Sequence, residues 1–428
     1  MKFLNKRKLT TDDIQNLIKR PGDGAENVES IVRNICADVK KRGDEAIREY
    51  SELYEPTSVD VLRVSDAEFE QAELLVSPKL HEAVAIAEKN IRTFHEAQVR
   101  KTDEIKISEG ITCRREIRPY DTVGLYIPAG SAPLPSTVLM LGVPAQIAGC
   151  TRIVLCSPPN AAGKVDPAVL VTASQLGIRE VYKTGGAQAI AAMAYGTKSI
   201  PKVEKIFGPG SRYVMLAKQI VSADPSGSPV DLIAGPSELL IIADDSAREE
   251  IVAIDLLSQA EHDPFSQVVL VTTDYSFGER VAALVQTWAA DLPRRKIIEQ
   301  SIARSYVLGV SSMQEAVAFT NNYAPEHLSI MTRNPEEVAS QIKHAGSVFL
   351  GGYSPVTAGD YASGTNHTLP TGGSAKWFGG LTVESYQKTI TFQTLTEEGL
   401  RALAPTLITL TEAEGLEAHK LAVTERLK

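Results

Sequence analysis

The chain has 428 residues, 43% of them hydrophobic and 23% charged, with a formal net charge of −9. That length exceeds what one hydrophobic core serves, so two or more core units are expected. The acidic balance argues against a nucleic-acid partner, and no stretch approaches the ~18 apolar residues that a membrane span requires.

The opening MKFLNKRKLTTDDIQNLIKRPG is basic but lacks a following apolar run, so it does not read as a secretory leader. A cytoplasmic protein is expected. Cys36, Cys113, Cys150 and Cys156 are scattered and form no C-x-x-C pair, which reads as free buried thiols. Residues 5–20 and 24–53 read as helices, with Ala46, Ile47, Tyr50 and Leu53 on one face of GDEAIREYSELY. A long helix is expected over 78–98. ISEGITCRREIRPYDTVGLYIP then reads as strands with turns and runs into the Gly/Pro-rich PAGSAPLPS.

From about residue 138, short apolar runs alternate with helical stretches. RIVLCSPP, EVYKTGG and VEKIFGPG are strand candidates, each followed by a helix. The alternation resumes after 236 with LLIIADD, QVVLVTTD, SYVLGV, LSIMTR and SVFLG. This is the pattern of parallel sheets covered by helices, an α/β fold in two units. A polar, helix-forming tail is expected from about 381. Open α/β sheets bind ligands at the carboxyl ends of their strands, so functional loops are expected there in both units.

Several polar clusters interrupt this pattern. TGGAQAIAAMAYG and IFGPGSRYV place glycines between a strand and a helix, where a phosphate is welcome. Neither is G-x-G-x-x-G, because Tyr213 stands where the third glycine belongs, and tight strand–helix turns explain them equally. Ser237 in AGPSELLIIADD is either a substrate contact or a turn cap. Gln259 and His262 in LLSQAEHDP sit three apart on one helical face, as either a solvated helix end or half of a metal site. APEHLS pairs two proton carriers, Glu326 and His327, or else an exposed loop pair. AGDYASGTNHTLPTGG, with Asp360 and His367, is too polar for a core and too irregular for a strand. His419 in EGLEAHK, five residues after Glu414, reads alone as a solvated face. His81, His95 and His344 lie within helical patterns and read as surface or packing residues.

The ordered run GLYIPAGSAPLPSTVLML, GGAQAIAA, KIFGPG, AGPSE, DLLSQAEHDPFSQ, YAPEHL, AGSVFLG, GDYASGTNHTLPTGG and AHK closely resembles the histidinol dehydrogenase family over nearly the whole chain. The resemblance implies two incomplete Rossmann-like parallel-sheet domains with small helical N-terminal and C-terminal segments. The implied division is 1–22 for an N-terminal helical segment, 23–121 plus 236–380 for a larger α/β domain, 122–235 for an NAD-binding domain, and 381–428 for a tail. It also implies a zinc- and NAD-dependent enzyme of histidine biosynthesis that oxidises L-histidinol to L-histidine through histidinal with two NAD+. One Zn2+ per subunit would be held by Gln259, His262, Asp360 and His419. Ser237, Gln259, His262, His327, Asp360, Glu414 and His419 would contact substrate. Tyr126, Gln188 and Ser211 would contact NAD+, with Ser211 a shorter residue than the asparagine usual there. Glu326 and His327 would carry protons. Family members are homodimers whose tails, here bearing Glu414 and His419, complete the partner's site. No cysteine lies in a matched motif, so a thiol intermediate has no support in the sequence.

Overall fold

The computed structural model describes residues 1–20, 25–55, 57, 59–100, 102–129, 132–232 and 235–428. Its strands are β1 (Lys2–Asn5), β2 (Glu104–Ser108), β3 (Ile111–Pro119), β4 (Thr122–Tyr126), β5 (Arg152–Ser157), β6 (Glu180–Lys183) and β7 (Lys205–Phe207). They continue with β8 (Glu238–Ala243), β9 (Gln267–Thr272), β10 (Tyr306–Gly309), β11 (His327–Met331), β12 (Ser347–Leu350) and β13 (Gln387–Leu395).

Two parallel sheets carry the fold, as the alternating pattern requires. One has six strands in the order β1-β10-β9-β8-β11-β12, and the other four in the order β6-β5-β4-β7. Every residue of β8 and β9 is buried, because helices cover both faces of a parallel sheet. One face of the six-stranded sheet packs Leu239, Ile241, Val268 and Leu270 against Leu256, Leu257 and Val281. The other packs Leu240, Ile242, Val269 and Ile330 against Val317, Phe319 and Tyr323. The four-stranded sheet is covered on one face by the helices Ala25–Arg42, Asp44–Tyr54, Gly186–Tyr195 and Arg212–Ala223. Among the described residues, no helix is long and apolar enough to cross a membrane.

Three departures from the sequence reading have local causes. The N-terminal segment is not purely helical, since Lys2–Asn5 pairs in parallel with Tyr306–Gly309 as an edge strand. The helix expected over 24–53 breaks at Gly43, whose φ of 60° ends Ala25–Arg42 before Asp44–Tyr54 begins. The tail opens as strand. Gln387–Leu395 pairs antiparallel with Pro119–Ile111 over nine positions, and helices follow at Glu397–Ala413 and Glu417–Thr424. KTITFQTL is rich in β-branched residues, which favour a pleated surface.

Candidate active site

The helix Met313–Tyr323 stops at Ala324, which has a φ of 52°. It is the one non-glycine with positive φ among the described residues. An alanine held there is strained, and such strain persists where the surroundings enforce it. Pro325 follows, and His327 opens β11. The corner is tied down from the next strand: the Gly346 amide donates to the Pro325 carbonyl (3.0 Å) and the Ser347 amide to that of Glu326 (2.9 Å). A Cβ on Gly346 would lie 2.6 Å from the Glu326 carbonyl oxygen, so only glycine fits.

Parallel pairing sets His327 opposite Leu239, which brings Glu326 beside Glu238. Glu238 then organises the pair through its backbone. Its amide donates to Glu326 Oε2 (2.8 Å) and its carbonyl lies 3.1 Å from His327 Nδ1. A carbonyl only accepts, so Nδ1 carries a proton and Nε2 is the nitrogen left to exchange one. The Glu238 side chain is fixed in turn. Its carboxylate takes two 2.7 Å hydrogen bonds from the Arg20 guanidinium and one of 3.0 Å from the Gly372 amide. Arg20 also lies 3.6 Å over the Tyr323 ring.

Glu326 and His327 are buried. Burial pushes the Glu326 carboxyl above its ordinary range, against the pull of His327. Burial also opposes a charge on His327, but Glu326 and Asp360 outweigh it and lift that imidazole to about 10. Nδ1 is 3.4 Å from Glu326 Oε2, and Nε2 is 3.4 Å from Asp360 Oδ1.

His262 and Asp360 lie close enough to act electrostatically on each other and on His327, and Gln259 precedes His262 by three residues. The helix Glu249–Ala260 ends two residues before His262, so Gln259 and His262 do not share its last turn. The i, i+3 relation survives in a tight turn, with the His262 amide donating to the Gln259 carbonyl (3.3 Å). His262 is solvent-accessible, yet the protein crowded around it holds its pKa below the ordinary value, although Asp360 pulls the other way. Asp360 comes from the helix Val356–Tyr361; burial opposes its charge, but His327 wins and keeps its pKa low. Its backbone carbonyl lies 2.8 Å from His367 Nδ1, and His367 Nε2 lies 3.2 Å from the Thr137 hydroxyl. A neutral imidazole, an ionised carboxylate and the buried, unpartnered amide oxygen of Gln259 form a fitting donor set for a divalent cation. Among the described residues, no three His, Cys, Asp or Glu side chains converge at metal-holding spacing.

Ser237 precedes β8, its carbonyl 3.3 Å from the Gln267 amide. Glu414, in the turn after the helix Glu397–Ala413, and His419, on the helix Glu417–Thr424, are exposed, and the leading influences on His262, His327 and Asp360 come from neither. Within one chain the structure does not bring them to the group.

The three cofactor candidates stand on the four-stranded sheet. Tyr126 ends β4, and its hydroxyl accepts from the Gly186 amide (3.1 Å) at the start of the helix Gly186–Tyr195. Glu55 Oε1 accepts from the Gly185 amide (2.6 Å) and from Gln188 Nε2 (3.2 Å). Ser211 caps the helix Arg212–Ala223 without using its hydroxyl, which stays exposed. The preceding GPG turn is braced by the buried Lys218–Asp231 ion pair, with the Gly208 amide donating to Asp231 (2.9 Å). A Cβ on Gly208 would meet the Tyr126 carbonyl oxygen at 2.3 Å.

These placements correct one expectation. The cofactor candidates follow the carboxyl ends of their strands, but Ser237, Glu326 and His327 sit at the amino ends of β8 and β11. The C-terminal end of the helix Glu249–Ala260 reaches the same edge with Gln259 and His262. Sequence reasoning assigned no role to Arg20, Glu55, Glu238 or Asp255. Glu238 lay within AGPSE, but its part is played by backbone atoms, which side-chain chemistry does not reveal. Of the four thiols, Cys36 and Cys156 are buried and Cys113 and Cys150 half-buried; burial raises Cys36 and Cys150 to about 12.

Known proteins agree over the full length. The family model described as histidinol dehydrogenase matches residues 18–427. A histidinol dehydrogenase of Photobacterium profundum is 47% identical over 430 residues, covering 100% of this chain and 96% of that protein. One of Bacteroides fragilis is 49% identical over 412 residues, covering 96% of each. The crystal structure of histidinol dehydrogenase from Elizabethkingia anophelis matches with a TM-score of 0.94 at 46% identity, over 100% of this chain and 98% of that one.

Proposed function

The chain belongs to the histidinol dehydrogenase family, NAD-dependent oxidoreductases, and from that premise we propose that it oxidises L-histidinol to L-histidine through L-histidinal. Two NAD+ are reduced per substrate. The observation that carries the reading is the Glu326–His327 pair, held by the Glu238 backbone with His327 Nε2 facing Asp360.

His327 Nε2 takes the hydroxyl proton as hydride leaves the carbinol carbon for the first NAD+, which yields the aldehyde. Glu326, lifted by burial, takes a proton from water as that water adds to the aldehyde carbon, and the proton held by His327 passes to the aldehyde oxygen, which leaves the hydrate and a neutral imidazole. His327 then accepts a proton from the hydrate as the second hydride leaves, which yields the carboxylic acid. Ser237 and Glu414 orient the substrate.

Gln259, His262 and Asp360, with His419 from a second copy of the chain, are the residues that would hold one zinc ion per subunit. The ion has no redox role and supplies a fixed positive charge that anchors the substrate's nitrogen atoms. Its donor set draws support from the orphaned amide oxygen of Gln259 and the low pKa values of His262 and Asp360. Tyr126, Gln188 and Ser211, in the 122–235 unit, receive NAD+. The Ser211 hydroxyl is free to donate or accept.

A homodimer with shared sites accounts for Glu414 and His419. Supporting it, the arm from 381 leaves Ile390, Leu410, Leu416 and Leu421 exposed, more apolar surface than a monomeric tail needs. Histidine biosynthesis in the cytoplasm is the setting this reading implies.

The deciding experiment is NADH yield per L-histidinol, with and without a chelator. Two NADH per molecule, lost on chelation, is the expected result. Absence of histidinol turnover by the metal-loaded protein overturns the reading.

A further inference from the structure

A glutamine among metal ligands poses a problem of orientation. Its amide offers an oxygen that binds a cation and, a half-turn away, an NH2 group that repels one. Crystal-like packing alone does not distinguish the two ends, because oxygen and nitrogen are nearly the same size. Something beside Gln259 must tell them apart.

Asp255 lies one turn earlier on the helix Glu249–Ala260, at i, i+4 on the same face, where side chains are neighbours. Asp255 is 6% exposed and Gln259 is 2%. Asp255 Oδ2 and Gln259 Oε1 are both sealed from solvent, and neither has a hydrogen-bond partner. Both are acceptors, so neither can satisfy the other. The Gln259 Nε2 group, one turn away on the same face, is a donor that fits Asp255 Oδ2, and in that orientation Oε1 stays clear of the carboxylate. An ionised carboxylate accepts and never donates, so it favours only that orientation.

We propose that Asp255 is the positioning residue for Gln259, accepting a hydrogen bond from its Nε2 and so directing its Oε1 at the cation shared with His262 and Asp360. The inference rests on the metal reading above. It assigns a structural task to a buried acid that the mechanism does not otherwise use, and outer partners of this kind commonly govern how well a site holds its metal.

The test is a double-mutant cycle on zinc affinity, read by competition with a chromophoric chelator on the full-length protein. Asp255→Leu is expected to weaken zinc binding about 10- to 100-fold. In a Gln259→Ala background, where no amide remains to orient, the same substitution is expected to change affinity less than about twofold. Asp255→Asn, which keeps one acceptor, is expected to lose less than Asp255→Leu. Equal losses in both backgrounds, or no loss in the first, overturn the role of Asp255 while leaving the metal reading intact. A wild-type protein that takes up no zinc overturns the metal reading, and the role of Asp255 falls with it.

Discussion

His327 Nδ1 lies 3.1 Å from the carbonyl oxygen of Glu238, a contact that fixes which ring nitrogen is free to react. The free nitrogen, Nε2, is the base in the proposed reaction. His327→Gln keeps a donor for that carbonyl but has no titrating nitrogen. Turnover of L-histidinol is expected to fall by about 10²- to 10⁴-fold, the usual contribution of a positioned base. Zinc content should stay at the wild-type level. A variant that retains turnover within threefold removes His327 from the role.

The His327 imidazole is lifted to about 10 in the metal-free chain, with burial opposing and Glu326 and Asp360 prevailing. Below that value the ring is protonated and cannot act as a base. A cation that engages Asp360 weakens one of the two charges responsible, so the pKa should drop when zinc binds. NMR titration of the imidazole is expected to show a charged ring at neutral pH in chelated protein and a lower pKa after zinc is restored. Identical titration curves in the two states contradict the coupling.

Arg20 sits on a buried carboxylate that does not itself react. Replacing it with methionine strands Glu238, which is 3% exposed, without its cation. Breaking a buried pair from one side costs about 3–5 kcal/mol. Arg20→Met should therefore lose stability of that order in urea unfolding. It should also lose activity, because Glu238 holds Glu326 and His327 in place. Adding Glu238→Gln should recover much of the stability, and a double variant no better than the single one argues against the stranded charge as the cause.

How much of this was legible in the sequence varied with the kind of signal. The parallel strands announced themselves, because a strand buried on both faces is a continuous apolar run, as in Leu239–Ala243 and Val268–Val271. Lys2–Asn5 gave no such signal, being one exposed and three half-buried residues at a sheet edge. Thr389–Thr394 did carry β-branched residues, but their polar neighbours read as a solvated helix. The candidate site was legible as a set of polar interruptions, and the family resemblance joined them. Its position at the amino edge of β8 and β11 was not legible, since strand order and direction are fixed by long-range pairing. Nor was Arg20, which meets Glu238 across 218 residues of chain.

Glu414 and His419 stand apart from Gln259, His262 and Asp360 within one chain, and a second copy is proposed to supply them. His262→Ala and His419→Ala proteins should each be nearly inactive. After subunit exchange, a heterodimer carries one site with both defects and one with neither. Mixtures are thus expected to regain up to about a quarter of wild-type activity, as half the dimers are hetero and each has one intact site. Native mass spectrometry confirms the exchange, and no recovery despite it argues against shared sites.

Asp255 links the proposed site to the stability of the fold. Burial raises its carboxyl from 3.8 to about 6. At acid pH the group is neutral in both folded and unfolded chains and costs nothing. As pH rises past 3.8 the unfolded chain loses the proton first, which favours unfolding; the penalty grows until about 6 and stays constant above it. Asp255→Asn removes this penalty. In metal-free protein the variant is expected to melt at the wild-type temperature near pH 3.5 and above it near pH 8. The same substitution should weaken zinc binding, so the acid is retained for its task at a cost to the apo fold. A melting difference independent of pH, measured by calorimetry on chelated samples, contradicts the buried charge as its source.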